Sequence, residues 1–188
     1  MKSVKLFSAA VLSLLLVSAT AQTETPKGYG KGSVVLPDNS VVSGYIKDNI
    51  RKDAAVVLLE NGKEKTYDGS AISSAEIDGT SYICIRGDFF KVLCQGELCF
   101  FQKASNASSK PTYSGNEVLF ISGTEGKPGD YFIYTKDHEL QLVSRKNLDA
   151  LAAGTFSGYA PAQEKVKACR NDLSQVKEAV ELYNKRNG

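Results

Sequence analysis

The chain reads as mainly β with C-terminal helices. The expected architecture is an antiparallel β domain, barrel-like or two-layer, over residues 32–143, capped by a helical segment over 144–188. Three observations predict this α+β class. Short runs rich in Val, Ile, Tyr and Phe recur between turn signals from Gly32 onward, which is how a sheet of many short strands is written. Those runs stop at Ser144. Beyond it, apolar residues fall three and four apart, the spacing of an amphipathic helix.

The N-terminus stands apart from this pattern. Lys2 and Lys5 flank the start of an uncharged apolar run, Leu6 to Val17, and Ala19-Thr20-Ala21 follows. Small residues at that place suit a signal peptidase, so residues 1–21 are expected to be a signal peptide cleaved before Gln22. The run is short of the ~20 residues that span a bilayer. Export also resets the charge. The full chain has 23 basic and 21 acidic residues, and loss of Lys2 and Lys5 leaves 21 of each. A neutral chain has no bulk attraction for nucleic acid. No later stretch is long and apolar enough for a transmembrane segment, so the expected location is periplasmic or secreted.

Residues 22–31 are polar with Pro and Gly and form a flexible leader. Gly28, Gly30 and Gly32 lack the preceding strand that a phosphate-binding loop needs. Gly32 to Asp48 reads as a hairpin about Pro37-Asp38-Asn39-Ser40. Ala54 to Tyr67 is a second hairpin about Asn61-Gly62, a pair suited to positive φ at both turn positions. Its run Val56 to Leu59 is continuously apolar, as for a strand covered on both faces. A short element at Ile72–Ile77, a turn at Asp78-Gly79 and a strand at Ser81–Ile85 follow.

Phe89 to Gln102, FFKVLCQGELCFFQ, is the central hairpin. A two-residue turn at Gly96-Glu97 would pair Cys94 with Cys99. Phe90, Val92, Cys94, Cys99 and Phe101 would then share one face, and Phe89, Leu93, Leu98 and Phe100 the other. Residues 103–116 read as a long polar loop, Glu117 to Ser122 as a strand, and 123–130 as a turn-rich loop. Tyr131 to Ser144 reads as a last hairpin about Asp137-His138. A helix is expected after Ser144, ending at Gly154. Pro161 opens the next one, and a break falls near Asn171. Asp172 and Gln175 have capping-box spacing. Leu173, Val176, Val180 and Tyr183 form a stripe that docks on the sheet, with self-association as its alternative use.

Four cysteines in an exported chain read as disulfides. The pairing expected is Cys94–Cys99, local and cross-strand, with Cys84–Cys169 tying the helical segment to the sheet. Zinc is disfavoured by the exported context and the lack of a second close cysteine pair. His138 is the only histidine. It lies in a polar turn, and there is no Gly-x-Ser-x-Gly elbow to supply a nucleophile. Asp78, Asp88, Glu97, Glu125 and Asp130 are scattered through loops without a pattern that pairs them for acid–base work. Arg86-Gly87-Asp88 matches an integrin-recognised tripeptide but is built of ordinary turn residues. Asn106-Ala107-Ser108 is a glycosylation sequon.

No catalytic, cofactor-binding or metal-binding set emerges, and no cofactor is called for. The leading expectation is an exported non-enzymatic binding module. Its contacts would lie in loops 103–116 and 123–130, with Tyr113 and Lys127 as candidate contact residues and a protein or envelope component as partner. The alternatives are a small exported hydrolase using His138 and a self-associating structural envelope protein.

The pattern GSVVLPDNSVVSGYI, then FFKVLCQGELCFF, YFIYT and a helical tail ending VELYN, resembles a loose group of exported β-rich proteins associated with Bacteroidetes. The resemblance covers most of the mature chain. It implies a Gram-negative envelope or secreted location and no catalytic residues.

Overall fold

A computed structural model describes residues 25–107, 111–114, 117–120 and 123–186, with the segments 111–114 and 117–120 described by their backbone alone. The expected signal peptide, residues 1–21, lies outside the described residues.

In chain order the elements are β1 (Gly30–Val35), β2 (Val41–Asn49), α1 (Ile50–Asp53), β3 (Ala55–Glu60), β4 (Lys63–Asp68), β5 (Ser74–Ile77), β6 (Thr80–Ile85), β7 (Asp88–Cys94), β8 (Cys99–Lys103), β9 (Pro111–Ser114), β10 (Glu117–Phe120), β11 (Tyr131–Tyr134), β12 (Leu140–Val143), α2 (Leu148–Ala153), α3 (Ala160–Ala168) and α4 (Val176–Asn184). Ten strands form one antiparallel sheet in the order β12-β11-β8-β7-β6-β5-β1-β2-β3-β4, while β9 and β10 pair separately. The mainly β, α+β class is as the sequence implies. The sheet stays open, with β12 and β4 as its two edges, so it is not a closed barrel.

Tight turns set most of the register. Asn61-Gly62 (φ 51 and 77), Asp78-Gly79 (46 and 75) and Arg86-Gly87 (50 and 82) each place two successive residues at positive φ. This backbone twists the way paired strands twist, so it joins β3–β4, β5–β6 and β6–β7 with no spare residue. The polar stretch after β2 is a single helical turn, α1, which buries Ile50.

The core has three parts. One gathers Val34, Ile46, Val56, Leu58 and Ile77 of β1–β5 with Phe89 of β7. A second lies beneath the helices, where Phe100, Ile133 and Val143 meet Leu148, Phe156, Val166 and Val180. The third, on the opposite face of the same strands, centres on Phe90, Phe101 and Phe132. The C-terminal stripe docks as its period implies: Val176, Val180 and Tyr183 are buried and Leu173 packs against the same cluster. The break near Asn171 is a turn leading into a 3-10 segment, Leu173–Gln175, with Asp172 Oδ1 accepting from Ser174 N at 3.0 Å. Among the described residues no helix is long and apolar enough to cross a membrane.

The central hairpin is covered on both faces, with Phe89, Phe90 and Phe100 at 0% exposure. Its register departs from the expected one near the turn. Val92 pairs with Phe101, but a bulge then sets Cys94 opposite Phe100. One extra residue moves a side chain to the other face. Cys94 therefore joins Leu93 on the helix side, while Cys99 stays with Val92 and Phe101 on the other. The expected Cys94–Cys99 disulfide is absent for this reason. Cys84–Cys169 is absent too, because Cys84 packs in the β1–β5 cluster and Cys169 lies buried under the helices. All four thiols are free.

Candidate functional site

β8 alternates, and Cys99, Phe101 and Lys103 point to one face. A lysine thus continues an apolar row, directly opposite Phe90. Asp88 stands two residues before Phe90 on the same face. The two charges meet with Nζ and Oδ2 3.0 Å apart and both side chains at 0% exposure.

Neither charge is left wanting a partner. Lys103 Nζ donates toward the carbonyls of Thr124 (2.8 Å), Glu125 (3.1 Å) and Gly126 (3.2 Å). Asp88 accepts from Ala107 N (2.6 Å) at Oδ1, and from Thr124 N (2.8 Å) and Thr124 Oγ1 (2.7 Å) at Oδ2. Beside them, Phe89 N donates to Ser105 Oγ at 2.8 Å. Burying an ion pair in an apolar layer is costly unless every proton and lone pair is used, and here they are used to hold loops. The chain leaves the sheet at residues 104–107, runs through β9 and β10, and returns at 123–126. The buried pair binds both the departing and the returning segment.

This node relocates several expected contacts. Residues 103–116 are not one free loop: Lys103, Ser105 and Ala107 are buried and Pro111–Ser114 is a strand. Tyr113 lies in β9, and its side chain is outside the described residues. Lys127 is exposed, with its backbone N–H donating to Asp130 Oδ2 at 2.8 Å. The Arg86-Gly87-Asp88 tripeptide is divided, since Arg86 is exposed while Asp88 is buried and already paired. A receptor that reads both charges cannot reach the second.

His138 sits at φ 62 in the exposed β11–β12 turn, with Nδ1 3.0 Å from Tyr134 Oη. It borders a cleft of about 550 Å³ together with Ile85, Arg86, Thr124, Tyr134 and Leu140. The aliphatic hydroxyl in that cleft, Thr124 Oγ1, donates to Asp88. Among the described residues lining that cleft, His138 therefore has an orienting tyrosine but no free hydroxyl or thiol to activate.

A larger groove of about 800 Å³ follows the open edge of β12. Leu98, Leu151 and Tyr183 line its helix side, and Glu125, Asp137 and Glu139 stand along its rim. The strand phase at this edge can be read directly. Thr135 N donates to Glu139 O, so Glu139, Gln141 and Val143 turn their backbone groups toward β11. Leu140 and Leu142 turn theirs outward. Asn147 Nδ2 donates to the outward carbonyl of Leu142 at 2.6 Å, which closes that end of the edge.

The sequence pattern could have exposed the ion pair: a lysine and an aspartate extend strictly alternating apolar rows in neighbouring strands. The edge groove has no such signal, because it depends on which strand ends the sheet. Compared with protein-family models, with curated proteins and with solved structures, the chain matches none, and its function is read from these residues.

Proposed function

We propose that the protein is an exported, non-enzymatic interaction module. It offers the β9–β10 hairpin and the 123–130 loop to a protein or envelope partner. The observation that carries this reading is the fully buried Asp88–Lys103 pair. It serves the apolar core poorly, since an apolar pair of similar volume would stabilise as well or better. It serves the two loop ends well, fixing both to a rigid sheet, as binding segments generally require. The exported location rests on the N-terminal pattern of residues 1–21 and on the resemblance to a loose group of exported β-rich proteins associated with Bacteroidetes.

Photo-crosslinking in cells of the source organism tests this. A crosslinking residue at Lys127 should give an adduct that excess unlabelled protein competes away, whereas one at Lys65, on the far β4 edge, should not. Equal labelling from both positions would overturn the proposal. So would a hydrolytic activity of the purified protein that His138→Ala abolishes.

A further inference from the structure

The two edges of the sheet are unlike. β4 presents Lys63, Glu64, Lys65 and Thr66, all exposed, which is the usual way a free edge is protected from pairing. β12 is Leu140-Gln141-Leu142-Val143 and carries no charge. Among the described residues, the outward N–H and C=O of Leu140 and the outward N–H of Leu142 have no partner. The outward carbonyl of Leu142 is taken by Asn147. The edge is thus open for one short stretch and stopped at a defined place.

Both sides of this stretch are hollowed. The helix-side groove holds Leu98, Leu151 and Tyr183. The His138 cleft on the other face holds Ile85 and Tyr134. Successive residues of an added strand would point alternately into one hollow and the other. That matches recognition by strand addition, in which backbone bonds hold the ligand and alternate pockets select it. The charge around the edge points to the occupant. Glu125, Asp137 and Glu139 are exposed at the rim and, among the described residues, make no ion pair, while Glu97 is already bound by Arg186. The cations nearby are Lys136, Arg86 and the Arg186 already engaged by Glu97.

We infer that β12 binds an extended, basic segment of a partner polypeptide, which adds antiparallel to Leu140–Leu142 and ends against Asn147. This surface shares Glu125 with the 123–130 loop, but a partner bound to that loop and the β9–β10 hairpin needs no strand addition, which the N-methylated peptide below reads separately. Failure of one reading therefore leaves the other standing.

The test is fluorescence anisotropy on the intact protein with an end-blocked peptide of alternating Lys and Val. Its controls are a Glu–Val peptide and a Lys–Val peptide N-methylated at alternate residues. The basic peptide should bind, and the acidic one at least tenfold more weakly. N-methylation, which removes backbone donors and keeps the charge, should cost at least tenfold. Leu140→Pro should do the same. It deletes an outward N–H and no bond to β11, and if it fails to fold the N-methylated peptide carries the test alone. Glu139→Lys should weaken the basic peptide.

Equal affinity for the methylated and unmethylated peptides would overturn the inference, because binding would then be charge alone. Equal binding of the basic and acidic peptides would overturn it as well. A dimer of the unliganded protein by light scattering, made monomeric by Leu140→Pro, would assign the edge to a second copy and overturn the commitment to a basic partner.

Discussion

Asn184 and Leu98 exchange two hydrogen bonds across 86 residues of chain. Leu98 N donates to Asn184 Oδ1 at 2.9 Å, and Asn184 Nδ2 donates to Leu98 O at 2.9 Å. The amide side chain at the end of α4 thus acts as a strand neighbour to the residue that follows the β7–β8 turn. Arg186 adds a two-pronged contact to Glu97 at 2.8 and 2.7 Å while stacking over the Tyr183 ring. The helical tail is latched onto the turn of the central hairpin.

Asn184→Ala should destabilise the protein by ~1–3 kcal/mol, because two part-buried backbone groups lose their partners. Urea denaturation followed by circular dichroism measures it. The slope with urea should be unchanged, since the fold is the same and only the latch is lost.

Gly96→Ala should act through the same latch. A Cβ at Gly96 would collide with the Asn184 amide. The amide must then leave Leu98, so the double variant Gly96→Ala/Asn184→Ala should be little less stable than Asn184→Ala alone. Simple addition of the two losses would show that the glycine serves another purpose.

Asp88→Asn and Lys103→Met should each cost roughly 3–5 kcal/mol, as one buried charge is left uncompensated. The double variant should cost clearly less than the two together. A double-mutant cycle of unfolding free energies reads this coupling directly.

Under non-reducing, denaturing conditions, peptide mass mapping should find four alkylated thiols. Recovery of a Cys94–Cys99 or Cys84–Cys169 peptide would show that the bulge at Val92/Cys94 and the separation of the clusters are relieved in solution.

Burial pushes the Cys84 thiol up to about 12 from its ordinary 9.0, with Asp68 adding to the rise. Burial also raises Cys94 and Cys169. The sign follows from proton binding. Above the ordinary value the unfolded chain releases the Cys84 proton and the folded chain keeps it. Its contribution to stability is therefore complete below that pH and is lost as pH rises toward the folded value. Cys84→Ala should flatten the alkaline fall in urea midpoint. In the native protein Cys84 should be alkylated far more slowly than an unburied thiol, by about a thousandfold if thiolate population alone sets the rate.

Much of the fold was legible because it is written locally. Asn61-Gly62 and Asp78-Gly79 announce their turns, and the stripe Val176, Val180, Tyr183 announces a docked helix. The central hairpin was legible in its pairing from Phe90 to Val92 but not beyond. A bulge depends on what each face packs against, and the helix layer on the Cys94 side comes from far along the chain: Asn184, whose Nδ2 contacts Cys94 Sγ, is 90 residues away. The disulfide expectation failed there, since cysteine count and export say nothing about faces. Asp88 and Lys103 looked like a turn residue and a loop residue. Their partnership needs β7 and β8 side by side and the 123–126 carbonyls brought in from another loop.

Ala107 N and Thr124 N are both held by the one carboxylate of Asp88. The chain therefore departs from the sheet and rejoins it at nearly the same point. A stretch that starts and finishes at one place can be lengthened, shortened or exchanged without moving any strand of the ten. Divergence among descendants of this chain can then gather between residues 107 and 124, with Asp88 and Lys103 retained as the fitting into which each new insert is set.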